Sequence, residues 1–266
     1  MAFQPVIPFG GMAGWSFLQR TQESQKAAFN EDPIIERDSE YFAANIGNIT
    51  SAEDLVKDYR LLKIALGAFG LDDDIGNKFL IQKVLEDGSL DTDDLANKFS
   101  DKRYLDLTKA FGFGDFSTPR TQLSTFSDEI LGAYTERQFE IAVGQQDSDM
   151  RLSLSLERDL GALLDKTTSD DGMWFSVMGN PPLRKVFETA LGLPTSFGAL
   201  DIDLQLIGFR KRAQAVFGDG EVAQFNEPEN VEELNRLFLA RSQINSGFGT
   251  LSSGSIALTL LQNAFG

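Results

Sequence analysis

The 266 residues of this chain include no histidine and no cysteine, which removes most catalytic chemistry and leaves carboxylate chemistry, hard-metal binding by oxygen ligands, or no chemistry at all. Catalytic triads need an imidazole base or a thiolate, and zinc sites need Cys or His ligands. A pair of carboxylates can hydrolyse a glycoside without either residue type. With 40 acidic residues in the chain, such a pair is expected somewhere by chance. The composition therefore leaves two classes open: a carboxylate-based hydrolase acting on cell-wall glycans, and a protein that is not an enzyme.

Two clusters of aspartate, at residues 72–74 and 91–94, are the first candidates for metal binding. Each precedes a predicted helix, where negative side chains stabilise the helix N-terminus, and this structural role accounts for both clusters. The segment from Asp87 begins like a calcium-binding loop, but Thr92 replaces the glycine of that loop and Lys98 replaces its final glutamate. Glycine-rich stretches lack the rest of a nucleotide-binding motif. We therefore predict no catalytic residues, no metal and no cofactor.

The chain is strongly acidic, with 24 basic against 40 acidic residues and a net charge of −16. A surface of this charge repels phosphate backbones, so we expect no nucleic-acid binding. No run of apolar residues approaches the roughly 18–20 needed to cross a membrane. The N-terminal residues lack both the basic region and the apolar stretch of a secretory signal peptide. These features predict a soluble protein without a membrane span.

The elements that would position any site are predicted to be helices almost throughout, which gives an all-α fold, a multi-helix array. Asp32 and Pro33 form a typical helix start. A capping box at residues 50–53 opens a helix that runs to Gly70 through apolar positions three and four residues apart. Further helices are predicted at residues 180–192, at 201–217 and after Pro228.

The middle of the chain contains one ambiguous segment. Residues 128–164 are predicted as one long helix or as two helices joined near Gly144. Within this range, residues 151–156 alternate between polar and apolar like a strand. Leu152 and Leu156 also belong to a longer apolar stripe at helical spacing, so we predict a helix there.

A short motif recurs where helices end. Residues 65–67 match residues 190–192 as Ala-Leu-Gly, and Ala-Phe-Gly occurs at 68–70, 110–112 and 264–266. One interpretation is a weak internal duplication of residues 51–115 and 180–241. The other is that small and apolar residues followed by glycine are a common way for amphipathic helices to end. Both interpretations remain open from the sequence.

The pattern predicts three regions. The first is an N-terminal arm, 1–31. The second is a helical domain, 32–241, whose two halves would be joined by a long helical segment, 120–167. The third, 242–266, combines a linker rich in Ser and Gly (242–254) with an apolar C-terminal segment.

The two termini carry the predicted partner-binding residues, which are Trp15, Phe17, Leu18, Leu258, Leu261 and Phe265. Isolated helices as short as these segments are marginally stable in water. The segments must therefore dock either on the protein's own core or on a partner protein.

Several stretches together resemble an uncharacterised alphaproteobacterial family, a domain of unknown function. They lie at residues 54–71, 100–104, 110–113, 137–140, 144–147, 190–194 and 200–203. The resemblance extends over most of the chain, and members of this family are often encoded beside flagellar genes. It implies no established activity and no catalytic residues. Together with a helical middle flanked by flexible ends, this gene context predicts a non-enzymatic, flagellum-associated structural, assembly or regulatory protein that binds other proteins. Such a protein would be cytoplasmic or exported to the flagellum.

Overall fold

The computed structural model describes residues 3–165 and 169–250, with side chains described as far as residue 246. The predicted fold class is confirmed: within these ranges the chain is all-α, without a β-strand. In chain order the α-helices are α1 (Gly11–Asn30), α2 (Pro33–Asn45), α3 (Ala52–Lys57), α4 (Tyr59–Ala68), α5 (Lys78–Asp87), α6 (Leu95–Lys98), α7 (Arg103–Phe111), α8 (Phe126–Gly144), α9 (Ser148–Leu164), α10 (Asp170–Gly179), α11 (Pro181–Leu191), α12 (Ile202–Phe217) and α13 (Pro228–Thr250). Short 3₁₀ helices lie at Ile46–Asn48, Asp72–Asp74, Arg120–Gln122, Thr195–Ala199 and Val222–Asn226.

Helices start at the predicted places, but the cap of α3 is Ser51 rather than Thr50, the first residue of the predicted capping box, and one break is added. The Asp32 carboxylate accepts a hydrogen bond from the Ile34 N–H at 2.9 Å, and the Ser51 hydroxyl accepts one from the Asp54 N–H at 3.1 Å. The helix predicted to run from this cap to Gly70 is instead interrupted at Asp58, whose backbone is extended. The Asp58 carboxylate accepts from the N–H groups of Arg60 and Leu61, at 2.9 and 3.1 Å, and so begins a new helix, α4.

The ambiguous middle segment forms two helices, α8 and α9, separated by residues 145–147. The alternating stretch 151–156 lies in α9, which confirms the helix prediction. Asp147 begins α9 by accepting hydrogen bonds from the N–H groups of Asp149 and Met150, at 2.9 and 3.2 Å.

Within the described residues the chain divides into two compact units. The first unit comprises residues 3–8, 17–151 and 179–181, and the second comprises 9–16, 152–165, 169–178 and 182–250. The predicted half 51–115 falls in the first unit, and the predicted half 180–241 falls in the second apart from its first two residues.

The core of the first unit is organised around α4, which is buried over most of its surface and packs against α2, α3 and α8. Gly67 allows a close approach here, since a Cβ at this position would lie 2.9 Å from ring carbons of Tyr134 on α8. Further along the core, the rings of Phe111 and Phe126 meet edge to face with their centroids 5.0 Å apart.

The core of the second unit is an aromatic cluster centred on Trp174 of α10. Its ring stacks on Phe209 of α12 at 5.4 Å and meets Phe187 of α11 edge to face at 5.6 Å. The indole N–H donates to the Gly220 carbonyl at 3.0 Å, so the one polar atom of this side chain is paired. Phe225 extends the cluster by packing on Phe187. Phenylalanine side chains thus contribute to the core of both units.

Both units contain the same helix ending, at residues 68–71 and 190–193, which we call the first and second glycine corners. Gly70 and Gly192 adopt left-handed backbone, with φ of +70° and +66°. The N–H of the following leucine, Leu71 or Leu193, reaches back five residues to a carbonyl at 2.9 Å in each case. This is the Schellman ending, which favours glycine at the left-handed position. By backbone geometry, Gly70 therefore corresponds to Gly192. The Ala-Leu-Gly match in the sequence instead aligns Gly192 with Gly67, which lies inside α4.

Arginines bind the free carbonyls at both glycine corners. At the first corner, Arg137 Nε donates to the Ala68 carbonyl at 2.8 Å, and Arg103 Nη1 donates to the carbonyl of Gly70. At the second corner, Arg241 Nη1 donates to the Ala190 carbonyl, while Nε and Nη2 of Arg212 donate to the Leu191 carbonyl at 2.9 and 2.6 Å. A cationic side chain at the last carbonyls of a helix also interacts favourably with the helix dipole.

The predicted linker differs from the structure. Residues 242–250, expected to be irregular because of their Ser and Gly content, continue α13 to Thr250. Leu234, Phe238 and Leu239 on the same helix are buried, so tertiary packing fixes the helix well before the residues of low helix propensity begin. The remainder of the predicted linker and the apolar segment 256–265 lie outside the described residues.

Candidate functional site

The residues predicted to bind a partner are only partly on the surface. Trp15 and Leu18, on α1, are 4% and 0% exposed, and Phe17 is half-buried. Of the two alternatives for this terminus, docking on the protein's own core therefore applies to Trp15 and Leu18, and the prediction of a partner-binding surface is wrong for these two residues. Leu258, Leu261 and Phe265 lie outside the described residues, so the prediction for them stands.

The second aspartate cluster forms local hydrogen bonds, but Asp94, which precedes α6, makes no side-chain cap to that helix. The carboxylates of the second cluster accept backbone hydrogen bonds: Asp91 from the Asp93 N–H at 2.9 Å, and Asp94 from the Asp91 N–H at 2.8 Å. Asp87, the first residue of the failed calcium loop, accepts from the Leu95 N–H at 2.6 Å. Over residues 3–165 and 169–250, no group of three or more acidic side chains is arranged to hold a metal ion.

One cluster of opposite charges lies in the second unit. Nη2 of Arg210 contacts carboxylate oxygens of Asp170, Asp171 and Glu221 at 2.7, 3.0 and 3.2 Å. Burial opposes the charged form of Asp170, but hydrogen bonds from Glu221, Arg210 and the Val222 N–H outweigh it and lower the pKa of this carboxyl. The hydrogen bond to Asp170 raises the pKa of Glu221 above its ordinary value.

The pair of Asp170 and Glu221 is the arrangement most relevant to a carboxylate-based hydrolase. Such an enzyme needs a proton donor with a raised pKa and a second carboxylate, both facing a cleft. Glu221 is 47% exposed at its side chain, and Asp170 is held by Arg210 and by the Val222 N–H at 2.6 Å. The pair belongs to an ion-paired cluster that joins α10, α12 and the segment before Val222–Asn226.

The most unusual surface in the second unit lies at the start of α12. Four apolar side chains there are exposed over about half of their surface: Leu200 45%, Ile202 49%, Leu204 51% and Ile207 61%. Leu204 and Ile207 are three residues apart and so share a helix face. We call Leu204 and Ile207 the α12 apolar face. Clustered exposed apolar side chains mark interaction sites more often than single ones do.

The opposite face of α12 buries one polar side chain beside apolar ones. Gln205 is buried, and its side-chain amide donates to the Leu200 carbonyl at 2.6 Å and accepts from Arg184 at 2.6 Å. Phe209 and Ala213 are buried beside it. A surface helix normally buries its apolar residues and exposes its polar ones. In the first turns of α12 apolar residues face outward while an amide is buried, so the exposed leucine and isoleucines do not contribute to the core.

A cavity of about 250 Å³ lies at the second glycine corner. Its lining includes Lys185 and Glu188 of α11, Thr195 after the corner, and Arg241 and Asn245 of α13. Glu188 is paired with Arg184, whose Nε lies 2.8 Å from the carboxylate. The lining therefore brings two cations and several uncharged donors together in a strongly acidic chain.

No described helix combines the length and the apolar character needed to cross a lipid bilayer.

With this fold and these surfaces, the chain belongs to a family described as Protein of unknown function (DUF1217), which matches residues 68–231. The match covers more than half of the chain and confirms the resemblance to an uncharacterised domain family. The X-ray crystal structure of protein AGR_C_984 from Agrobacterium tumefaciens is similar in fold, with a TM-score of 0.74 and 24% sequence identity. The alignment covers 91% of this chain and 99% of the Agrobacterium chain. The source organism of that structure is consistent with an alphaproteobacterial family. No curated protein matches the chain.

Proposed function

We propose that this chain is a non-enzymatic protein that acts through protein–protein contacts, as a flagellum-associated structural, assembly or regulatory component. The α12 apolar face is the observation that carries the first part of the proposal. Gene context in the family that the sequence resembles supports the flagellar part. Partners in this proposal are other proteins, flagellar components among them.

The composition of the α12 apolar face defines the partner surface that fits it. Burying a large apolar side chain contributes about 1.5–3 kcal/mol, so Leu204 and Ile207 would dominate a contact. Lys211 follows Ile207 by four residues and is exposed, which places a cation at one end of the face. The complementary partner is an amphipathic helix of another protein, with apolar residues three and four apart and an acidic residue opposite Lys211.

A double variant tests this proposal. Leu204→Asp combined with Ile207→Asp should abolish partner binding, because each change removes an apolar contact and places a charge in the interface. Both residues are exposed, so the melting temperature should stay within a few degrees of the wild-type value. The measurement is cross-linking followed by mass spectrometry in cells that assemble flagella.

The matched control carries the same added charge elsewhere. Phe79→Asp combined with Leu90→Asp changes two other exposed apolar residues, which are 76% and 71% exposed in the first unit. The proposal is supported if a flagellar component is cross-linked to the wild type and to the control but not to the α12 variant. Identical cross-links for all three proteins, or a wild type that pairs with a second copy through α12, would contradict it.

A further inference from the structure

The two glycine corners share a backbone but differ in how their cations are neutralised. At the first corner, Arg103 is paired with Asp101 at 2.6 Å. On the preceding helix, Lys63 lies seven residues before Gly70 and pairs with Asp38 at 2.8 Å. A carboxylate of the chain itself therefore accompanies each of these two cations.

At the second corner the corresponding cations lack carboxylate partners. Lys185 also lies seven residues before its glycine, Gly192, but forms no ion pair with any described residue, and neither do Arg212 and Arg241. The undescribed residues do not supply the missing charge from a side chain, since positions 1–2, 166–168 and 251–266 include no Asp or Glu.

Donor groups also remain available in the second-corner cavity. Arg241 uses Nη1 for the Ala190 carbonyl, which leaves other N–H groups of its guanidinium unassigned among the described residues. Lys185 adds an ammonium with three donors, and Thr195 and Asn245 add a hydroxyl and an amide. The acidic side chain in the lining, Glu188, is occupied by Arg184. The cavity thus presents cationic donors without a matching acceptor.

We propose that the second-corner cavity binds a carboxylate-bearing ligand, which supplies the negative charge that Asp38 and Asp101 supply at the first corner. A carboxylate fits because an Arg fork and a Lys ammonium bind it by charge-assisted hydrogen bonds. A cavity of about 250 Å³ has room for a small dicarboxylate or for one acidic side chain with its neighbours. This site is separate from the α12 apolar face, so either proposal can fail without the other.

The first experiment is a titration of the full chain with succinate, followed by amide chemical shifts in NMR spectra. Succinamide serves as the uncharged analogue, and inorganic phosphate as the competing anion. We expect succinate to cause saturable shifts at residues 185–195 and 241–245, succinamide to cause none, and phosphate to bind more weakly. Phosphate binding tighter than succinate, or succinate shifts spread over the surface without saturation, would overturn the proposal.

Two pairs of variants locate the site. Lys185→Met should weaken succinate binding about tenfold or more, because a hydrogen bond between charged groups is lost. Lys109→Met, which removes an exposed lysine of the first unit outside the cavity, should leave the affinity unchanged. Thr195→Asp places a carboxylate three residues after Gly192, where the first unit has Asp73 three residues after Gly70, and should abolish binding.

The neutral isostere completes the test. Thr195→Asn should keep binding within about twofold of wild type, because it adds no charge to the cavity. All these positions are exposed, so circular dichroism should show unchanged folding. Equal losses for Thr195→Asp and Thr195→Asn, or equal losses for Lys185→Met and Lys109→Met, would contradict a carboxylate site.

Discussion

The first and second glycine corners have the same backbone geometry but differ in packing and in ion pairing. Each ends a helix with Ala, a large apolar residue, a left-handed glycine and Leu, and each uses two arginines to bind the last carbonyls. At the first corner Gly67 lies close to the Tyr134 ring, and Lys63 and Arg103 pair with carboxylates of the chain. The second has Thr189 where the first has Gly67, and it opens into a cavity with unmatched cations. Backbone geometry and capping can thus recur while packing and electrostatics diverge.

The largest difference in stability between the two corners is expected when the residues three positions before the corner glycines, Gly67 and Thr189, are exchanged. Gly67→Thr would place a Cβ 2.9 Å from the Tyr134 ring, which is 1% exposed and cannot move away freely. Overpacking of this kind costs about 1–3 kcal/mol. The free energy of unfolding, measured by urea denaturation, should fall by that amount.

The reverse exchange is the control for this prediction. Thr189→Gly removes a half-buried side chain at the cavity and should cost less than about 1 kcal/mol, close to the difference in helix propensity. A Gly67→Thr protein as stable as the wild type would show that α4 and α8 do not pack as closely as the structure indicates.

The corner glycines themselves should give a slightly smaller effect. Gly70→Ala and Gly192→Ala force alanine into left-handed backbone, which costs roughly 1–2 kcal/mol at each position. At residue 192 the new Cβ would also lie 2.8 Å from Arg241 Nη1 and displace that cap. Thermal denaturation should show both losses.

Gly132→Ala provides the matched control for the corner glycines. Residue 132 lies within α8 without positive φ, and the space that an added Cβ would occupy is open, so alanine should raise stability by up to about 1 kcal/mol. If Gly70→Ala behaved like Gly132→Ala, the left-handed assignment of the first corner would be wrong.

The smallest expected effect concerns the residues that begin the two corner helices. Asp58 precedes α4, and Asn180 occupies the same place before α11. For Asp58, burial opposes ionisation, but hydrogen bonds from Tyr41 and from the Leu61 and Arg60 N–H groups outweigh it and lower the pKa. A lowered carboxyl pKa contributes stability above the unfolded-state value of about 3.9, and this contribution is lost as pH falls through the folded-state value.

Asp58→Asn should therefore reduce the dependence of stability on pH below about 4, where the unfolded-state carboxyl titrates. Because Asn is about as good an N-cap as Asp, the change at neutral pH should be less than about 1 kcal/mol. Asn180→Asp is the reciprocal variant and should add acid sensitivity. Denaturation curves measured between neutral pH and pH 2 test both variants. If the stability of Asp58→Asn fell in acid as steeply as that of the wild type, the role assigned to this carboxylate would be contradicted.

Local signals in the sequence were sufficient for much of the fold. Asp32 and Ser51 cap helices because their side chains satisfy free N–H groups a few residues away, and this depends on adjacent residues alone. The apolar stripe through Leu152 and Leu156 likewise specifies α9. The helix over residues 242–250 could not be predicted from such local signals, because it continues from a segment that is fixed by distant packing rather than by its own composition.

The candidate sites depended on facts that no short window contains. In the sequence, Leu204 and Ile207 are indistinguishable from a core stripe, and only the tertiary structure shows that Gln205 is buried in their place. Lys185 in the second-corner cavity has no carboxylate partner among the described residues, whereas Lys63, at the equivalent position before the first corner, pairs with Asp38. Only the folded chain shows this difference. Trp15 and Leu18 illustrate the opposite case: they were predicted to bind a partner, but they are apolar residues near a terminus that belong to the core.

The distribution of the aromatic residues gives each unit its own optical reporter. Both tryptophans of the chain, Trp15 and Trp174, are buried in the second unit, whereas the four tyrosines all lie in the first. Tryptophan emission therefore reports the solvation of the second unit. Tyrosine solvation in the first unit can be read from second-derivative absorbance spectra, which separate the tyrosine bands from those of tryptophan. Denaturation of the two units can accordingly be followed in one unlabelled sample, by choosing the spectroscopic signal rather than by introducing a probe.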